Sequence, residues 1–395
     1  MTTADLPLSP APELAAEQVF AYADQRIAEA ADALWPDSRI DMGQHVPSPT
    51  AYVRRMRVDG QAVFAKYSFL GMSLVSLLRG AAGDWSRVRA EQEFYVQRPD
   101  SLIRRETEQL AFLSRLHGPV TGVLAGQHNS VLFTAPAGGT SLGQMMLAHP
   151  ARTAGLLDRT VRELRPLHAA DPRSAGAASS GTDRGITETF QRKFHQPGSH
   201  AYIDSLTTGH ASPAVIDSLH RIVTRLSQFA GPPSPKAALA LCYGDLKPEH
   251  IIFPRRGRPV FIDPGLLVAH PRTDLAKLIS RTVLLLAANR PPGAGQVIDG
   301  LAAHVGEHLR GSVRFLRPIV LRELLTWWVM DTTSILTTYL AAPSGLPLPH
   351  TGHAVIARAT SVVALADTLT DQLYRQLPAQ LVWTSALQAA KEASA

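Results

Sequence analysis

The chain has 395 residues, of which 45% are hydrophobic and 18% charged. This length suits one large or two medium domains, and the composition excludes a disordered protein. The formal net charge of +6 is spread along the chain, with no basic run that alternates with aromatic residues, so a nucleic-acid-binding surface is not indicated. A single cysteine, Cys242, excludes an internal disulfide and a cysteine-built zinc site. The N-terminus shows no secretory signal and no typical membrane span is found, so we expect a cytoplasmic protein.

The first third of the sequence predicts a helix followed by a β-hairpin. A loose tail reaches about Pro10, and the apolar spacing of Ala11–Leu34 predicts a helix. Tyr52–Val58 and Ala62–Tyr67 read as two strands, and Asp59-Gly60 between them is a strong hairpin signal. Lys66 lies next to the end of the second strand, where a lysine on the protein surface is the ordinary interpretation.

The middle of the sequence mixes short strands with helices. The segment 69–100 has no clear period, and we interpret it as an insertion. Prolines and small residues separate the remaining predicted elements. These are a helix capped by Ser101 that runs to Leu116, strands Val120–Leu124 and Ser130–Thr134, a helix Thr153–Ala170, a flexible loop Arg173–Gly185, helices Thr187–Leu206 and Pro213–Phe229, and a proline-rich break at Gly231–Pro235.

Two carboxylates follow two short apolar runs near residue 250. Asp245 closes Leu241-Cys-Tyr-Gly-Asp, Asp263 closes Val260-Phe-Ile-Asp, and a basic turn at Pro254–Arg258 joins the two halves as in a hairpin. Phosphoryl transfer needs such a pair, because one carboxylate orients the attacking hydroxyl and the other holds the magnesium that bridges the nucleotide phosphates. Two ordinary acidic turns are the alternative interpretation.

This stretch resembles the aminoglycoside-phosphotransferase and choline-kinase-like family of small-molecule kinases. The family loop reads His-Gly-Asp-Leu-x-x-x-Asn and is followed by Ile-Asp-x-Gly. The sequence here has Tyr243-Gly-Asp-Leu with His250 at the Asn position, and then Ile262-Asp-Pro-Gly. The resemblance implies an α+β, protein-kinase-like fold of two lobes, with a small β-rich N-lobe and a larger, mostly helical C-lobe. The expected boundaries are 1–36 for the tail and first helix, 37–136 for the N-lobe and 137–395 for the C-lobe.

The resemblance also implies a set of nucleotide-binding residues in the N-lobe. Lys66 would hold the phosphates of ATP, with GTP as the alternative nucleotide, and Glu106 would orient Lys66, with Glu108 in reserve. The sequence has no glycine-rich loop before the hairpin, so Ser48 is the candidate for contacting phosphate there. The expected hinge, where backbone groups meet the adenine, includes Thr134 and Pro136.

In the C-lobe, the resemblance assigns Asp245 to the acceptor hydroxyl and Asp263 to Mg²⁺. Lys247 would offset charge on the transferred phosphoryl group, and His250 would take the second metal position. Histidine is a departure from the family pattern, because magnesium prefers oxygen ligands. Asp274 matches the family's Asp-Leu-Ala motif, and we expect it to cap a helix and brace the loops.

The rest of the chain predicts helices, among which the family builds its acceptor pocket. The predicted helices are Lys277–Asn289, Gly295–Leu309, Pro318–Ala342 and Thr351–Leu377. From residue 266 onward there are 11 Lys or Arg and 8 Asp or Glu, a net charge near +3. This balance favours a neutral or anionic hydroxyl compound over a polycationic aminoglycoside. Trp327, Trp328 and Asp331 are candidates to line the pocket, with core packing as the alternative for the tryptophans.

Two further motifs and one further class of function compete with this interpretation. Gly139-Thr-Ser141-Leu-Gly fits a serine-hydrolase elbow, but Pro136 interrupts the strand that such an elbow needs. His304-Val-Gly-Glu-His308 fits an inverted zinc-protease pattern, but Gly306 weakens the helix. A kinase-like pseudoenzyme that binds nucleotide without transferring phosphate also remains open. The sequence leaves the oligomeric state undetermined.

Overall fold

The computed structural model describes residues 13–179, 185–195, 199–229, 239–311 and 313–395. Its strands in chain order are β1 (Ile40–Val46), β2 (Tyr52–Val58), β3 (Gln61–Tyr67), β4 (Val120–Thr121), β5 (Leu124–His128), β6 (Val131–Thr134), β7 (Thr140–Ser141), β8 (Ala240–Cys242), β9 (Ile251–Phe253), β10 (Val260–Phe261) and β11 (Leu267–Ala269).

The α-helices share short connections and occupy most of the second half of the chain. In chain order they are α1 (Ala16–Leu34), α2 (Leu74–Leu78), α3 (Trp85–Tyr95), α4 (Leu102–Arg115), α5 (Leu142–Ala148), α6 (Thr153–Ala169), α7 (Ile186–Phe194), α8 (Ser199–Asp204), α9 (Pro213–Ser227), α10 (Arg272–Asn289), α11 (Ala294–Arg310), α12 (Arg317–Leu340), α13 (His350–Ala357), α14 (Ala359–Tyr374) and α15 (Ala379–Ala393). None of the helices in the described part of the chain combines the length and the apolar content that a bilayer crossing requires.

The chain divides into two compact units. The first contains the chain through Thr107, together with Leu124–Pro136 and Ala342–Pro349. It is built on an antiparallel five-stranded sheet in the order β1-β2-β3-β6-β5. Helix α1 packs on this sheet because Val19, Ala23, Ile27 and its other buried residues recur every three or four positions and form one apolar face.

A buried glutamine ties the predicted insertion to this sheet. Gln92 on α3 is 1% exposed, and its amide nitrogen lies 3.0 Å from both the Tyr67 hydroxyl and the Ser68 carbonyl. Its side-chain oxygen accepts from the Leu70 amide at 2.7 Å. Because a buried amide without partners would be costly, these bonds fix α3 against the end of β3. The segment 69–100 is therefore an ordered part of the first unit.

The second unit contains Glu108–Val123, Ala137–Ala341 and His350–Ala395. It holds a small four-stranded sheet in the order β4-β10-β9-β7 and the antiparallel pair β8–β11. Around these strands, α10 and α12 pack against each other, and α12 also contacts α7, α14 and α15. Trp328 is fully buried at the centre of this helical core. A small unit built on a sheet and a larger, mostly helical unit confirm the predicted α+β class.

Most of the predicted elements are present, with four corrections. The hairpin of β2 and β3 forms as predicted, with Val58 paired to Gln61 across Asp59-Gly60. Strand β1 was missed, because its run Ile-Asp-Met-Gly-Gln-His-Val lacks a regular apolar alternation and carries a register irregularity. Part of the predicted loop Arg173–Gly185 is a 3₁₀ helix (Pro172–Ser179), and Thr351–Leu377 is broken into α13 and α14. Helices α2, α3, α5 and α15 and strands β5, β7 and β11 were not predicted.

Four other predicted segments fall wholly or partly outside the described residues. The tail through Pro10 and the break at Gly231–Pro235 lie outside them. So do the end of the predicted loop, at 180–184, and the middle of the predicted helix Thr187–Leu206, at 196–198.

Candidate active site

In the first unit, a buried ion pair joins the sheet to the start of α4. Lys66 lies on β3, where its backbone is paired with Val53 and Leu132. Its ammonium nitrogen is 2.6 Å from the Glu106 carboxylate, and the two side chains are 11% and 3% exposed. Glu108, the reserve candidate, is exposed. The structure thus selects Glu106 as the partner of Lys66, and in this low-dielectric position each charge depends on the other.

The other three nucleotide candidates also lie in the first unit. The Ser48 hydroxyl sits in the turn between β1 and β2, where it accepts from the Thr50 amide at 3.2 Å. Thr134 ends β6 opposite Phe64, and Pro136 follows it in an exposed position. Ser48 therefore shapes its own turn, while Thr134 and Pro136 mark the end of a paired strand.

In the second unit, Asp245 follows a backbone turn that only glycine can make. Gly244 has φ of +80°, and a side-chain β-carbon there would stand 2.0 Å from the Gly265 carbonyl oxygen. The Gly265 amide in turn donates to the Tyr243 carbonyl at 3.0 Å. This close approach of two backbone segments explains why the sequence has glycine at position 244. It places Asp245 beside the loop that carries Asp263.

The Asp274 carboxylate fixes this turn by accepting hydrogen bonds from its backbone. One of its oxygens accepts from the Tyr243 amide and the other from the Gly244 amide, each at 2.8 Å. The His168 imidazole lies 3.0 Å from the first oxygen, and the Lys277 ammonium donates to the Gly244 carbonyl. Asp274 is 2% exposed, so these bonds satisfy a carboxylate that would otherwise be costly to bury. The predicted bracing role is confirmed. The predicted helix cap is wrong, because the N-cap of α10 is Pro271.

The structure brings Asp245, His250 and Asp263 together. One imidazole nitrogen of His250 lies 3.8 Å from the Asp245 carboxylate, and the other lies 3.7 Å from the Asp263 carboxylate. Their ligand atoms all fall within 4.8 Å of one another. The Asp245 and His250 side chains are 7% and 13% exposed, while Asp263 is 31% exposed. One histidine thus lies near both carboxylates. The site is buried at Asp245 and His250 and partly exposed to solvent at Asp263.

Local backbone geometry supports this arrangement. Asp263 has φ of +60°, a left-handed conformation that aspartate tolerates better than most residues. The Ile262 amide donates to the His250 carbonyl at 2.9 Å, which fixes the two loops relative to each other. The Lys247 ammonium is 3.5 Å from the Asp245 carboxylate. Lys247 therefore adds positive charge at the carboxylate that was assigned to the acceptor.

The donor set of this cluster fits a divalent cation. Two carboxylates are the ligands that Mg²⁺ prefers, and the partly exposed Asp263 leaves room for water and phosphate oxygens. An imidazole suits Mn²⁺ and later transition metals better than Mg²⁺. Asp263 would hold such an ion, with His250 in the second metal position and Asp245 beside them.

A second cluster, made of His168, Cys242 and Asp274, has metal-like spacing but a different role. Both Asp274 oxygens already accept backbone amides. Burial, with a smaller contribution from the Asp274 charge, raises the pKa of the Cys242 thiol, so the thiolate that would bind a metal is disfavoured. The cluster instead belongs to the contacts of Asp274, His168 and Lys277 that fix the Tyr243–Gly244 turn, and we call these three residues the brace.

The acceptor candidates on α12 separate into three environments. Asp331 is buried and forms a two-point ion pair with Arg281 on α10, at 2.6 and 3.1 Å. Although burial opposes its charge, the Asp331 carboxylate raises the pKa of Arg281. Trp328 packs in the core against Trp383, and only Trp327 lines a cavity. Core packing is therefore the role of Trp328.

The two competing motifs have structural roles. Ser141 is the N-cap of α5 and forms a reciprocal capping box with Gln144. His304 is buried and lies 2.5 Å from the Asp158 carboxylate. Within the described ranges, it belongs to no cluster with metal-like spacing. Neither pattern forms the site that its sequence suggested.

Sequence reasoning missed His168, Lys277 and Arg281. Lys277 lies three residues after Asp274 on α10, and a lysine between the apolar pairs Leu275-Ala276 and Leu278-Ile279 was the available signal. His168 was visible only as the end of a helix. The Lys277–Gly244 contact joins residues 33 positions apart and the His168–Asp274 contact joins residues 106 positions apart, which no local pattern reports.

We expect Asp274→Ala to lower the free energy of unfolding by about 2–5 kcal/mol, because two buried backbone amides lose their acceptor. Chemical denaturation measures this loss. The matched control is Asp171→Ala, which removes an exposed carboxylate that pairs with exposed Arg173 and should leave the stability close to that of the wild type. Equal effects of the two substitutions would contradict the bracing role.

The known proteins that are similar to this chain include phosphotransferases and kinases. The model of the phosphotransferase enzyme family (APH) matches residues 77–315. No match to a curated protein was found. Among solved structures, the chain is similar to an ethanolamine kinase of Plasmodium vivax (12% identity, 91% of this chain and 90% of that one, TM-score 0.47). It is also similar to the aminoglycoside-3'-phosphotransferase of type VIII (20% identity, 78% and 98%, TM-score 0.43). The family match covers more than half of the sequence and includes the braced turn, and the chain therefore belongs to the phosphotransferase enzyme family.

Proposed function

We propose that this protein transfers the γ-phosphoryl group of ATP to a hydroxyl of a small molecule. The observation that carries the proposal is the cluster of Asp245, His250 and Asp263, whose ligand atoms lie within 4.8 Å of one another on two loops fixed by hydrogen bonds. Phosphoryl transfer depends mainly on positioning and on neutralising charge, and this cluster is built for both.

Asp245 accepts the proton of the acceptor hydroxyl. The hydroxyl oxygen forms a bond to the γ-phosphorus, and the bond from that phosphorus to the β–γ bridging oxygen breaks, so ADP leaves with the electron pair. Lys247 lies 3.5 Å from Asp245 and offsets negative charge there. Asp263 and His250 would hold Mg²⁺, which would supply positive charge to neutralise the nucleotide phosphates. His250, between the two carboxylates, keeps them apart and orients them.

The first unit supplies nucleotide contacts in this proposal. Lys66, oriented by its 2.6 Å contact with Glu106, binds the phosphates. Ser48 in the β1–β2 turn contacts phosphate, and the backbone at Thr134 and Pro136 meets the base. ATP is the nucleotide that we favour, with GTP as the alternative.

The acceptor that we favour is a neutral or anionic hydroxyl compound, such as a sugar, cyclitol, nucleoside or natural-product antibiotic. Asp331, an acidic candidate for the acceptor region, is already neutralised by Arg281. It is therefore not available to a polycationic acceptor. A cytoplasmic location, where ATP is available, completes the proposal.

A screen for ATP consumption over hydroxylated metabolites and antibiotics, with Mg²⁺ and with Mn²⁺, tests the proposal. Turnover with at least one acceptor is the expected result. Clear nucleotide binding with no turnover on any acceptor would favour the pseudoenzyme. His250→Asn, which restores the family residue, then shows whether the histidine is the cause.

For an acceptor found in this way, we expect Asp245→Asn to lower kcat by about 10²–10⁴-fold, because the amide cannot take the hydroxyl proton. The Kd for ATP should stay within about threefold, since Asp245 acts on the acceptor. Asp217→Asn, an exposed position on α9, is the matched control and should leave kcat unchanged. Transfer that survives the loss of Asp245 would contradict the mechanism.

We also expect Glu106→Gln to raise the Kd for a non-hydrolysable ATP analogue by about tenfold, because Lys66 loses its orienting charge. Isothermal titration calorimetry measures the change. Glu108→Gln has the same chemistry two residues away at an exposed position, and it should leave the Kd within about twofold. The same loss of affinity in both variants would remove the special role of the pair.

A further inference from the structure

A cavity of about 640 Å³ lies within the second unit. Its lining comes from β11, the starts of α7, α10 and α12, the connection from α14 to α15, and Phe229, Leu239 and Gly244. Asp245, His250 and Asp263 are not part of this lining. A volume of this size is typical of sites for drug-sized molecules.

One wall of the cavity includes Asp274 and Lys277 of the brace. These residues fix the Tyr243–Gly244 turn that precedes Asp245, and we call it the catalytic turn. Gly244, Asp274 and Lys277 all line it. Asp274 accepts the Tyr243 and Gly244 amides, and Lys277 donates to the Gly244 carbonyl. A molecule in the cavity would therefore contact the groups that hold the backbone of Asp245.

Five charged side chains line the described part of the cavity, and four of them form contacts within the protein, while Glu188 is exposed to solvent. Arg322 donates to the Leu373 and Leu377 carbonyls at 3.0 and 2.7 Å. Glu323 lies 3.1 Å from the Arg272 guanidinium. Asp274 and Lys277 form hydrogen bonds with the backbone of Tyr243 and Gly244. A charged ligand would have to replace these contacts, whereas an uncharged ligand leaves them in place.

Most of the remaining lining is aromatic or apolar. Trp327 is partly exposed, and its ring lies 5.9 Å from the His270 ring, at an angle of 36°. Burial, together with the positive charge of Arg272, lowers the pKa of His270 to about 4, so its imidazole is neutral at pH 7. The apolar lining includes Ile186, Leu267, Ile319, Met330 and Leu377, and the lining also has the uncharged polar residues Thr187, Thr273, Thr326 and Gln376.

We propose that this cavity is a second ligand site, which binds an uncharged, largely apolar small molecule and contacts the brace of the catalytic turn. None of the three residues of the carboxylate cluster, Asp245, His250 and Asp263, lines this site. Its occupancy stabilises the Asp274 contacts with Tyr243 and Gly244. The inference needs no phosphoryl transfer, so it can be tested whether or not an acceptor is known.

The test uses two probes with the same aromatic rings. N-phenyl-1-naphthylamine is uncharged, and 1-anilinonaphthalene-8-sulfonate carries a sulfonate. Fluorescence titration of the full chain should show one site for the uncharged probe and at least tenfold weaker binding of the sulfonate. Equal or stronger binding of the sulfonate would overturn the assigned ligand class.

Two aliphatic positions with similar exposure locate the probe. Ile319 lines the cavity and is 56% exposed, while Leu381 is 62% exposed and lies outside the lining. Because both side chains reach solvent, glutamate at either position should leave the fold intact. Ile319→Glu should weaken binding of the uncharged probe at least tenfold, and Leu381→Glu by less than twofold. Binding unchanged in Ile319→Glu would overturn the site.

Hydrogen exchange tests the contact with the brace. The uncharged probe should slow exchange of the Tyr243 and Gly244 amides at least threefold in the wild-type chain. It should have no such effect in Trp327→Ala, which loses the aromatic wall. Exchange that is unchanged when the probe is bound would overturn the link between the cavity and the catalytic turn.

Discussion

The candidate site depends on one buried carboxylate. Asp274 accepts two consecutive backbone amides, from Tyr243 and Gly244, on the strained turn that presents Asp245. A left-handed glycine turn has few intrinsic reasons to stay in one conformation, and a charge-assisted acceptor in a low-dielectric core supplies the missing constraint. The bond also works in the other direction, because the amides satisfy a carboxylate that is 2% exposed. Neither the turn nor the buried charge would be stable without the other.

This constraint explains how two acidic side chains can lie close together. Like charges near each other and partly buried are unfavourable, and a flexible loop would move them apart. Here the Asp274 contacts fix the backbone before Asp245. A hydrogen bond from the Ile262 amide to the His250 carbonyl fixes the two loops to each other. The two carboxylates then share His250, and Lys247 adds a positive charge. In the proposed function, this charge balance would favour the binding of a divalent cation and phosphates without a rearrangement of the loops.

The sequence predicted the parts of the site that depend on local patterns. Asp59-Gly60 specifies its hairpin within four residues, and the spacing from Asp245 to Asp263 follows from two short strands and a turn. It could not predict strand β1, which is held at a sheet edge by its neighbour and not by its own apolar pattern. It also could not predict the brace or the cavity, because Lys277 and its partners meet only after α10 has packed beneath the turn. Long-range packing decides those features.

Metal binding tests the central claim most directly, namely that the braced loops form one divalent-cation site. Mn²⁺ can be titrated by electron paramagnetic resonance in the presence of a non-hydrolysable ATP analogue. The account predicts that Asp263→Asn weakens Mn²⁺ binding at least tenfold, because a carboxylate ligand is lost. Asp217→Asn, an exposed carboxylate on α9, should bind as the wild type does. Mn²⁺ binding of equal strength in Asp263→Asn and the wild type would contradict the account.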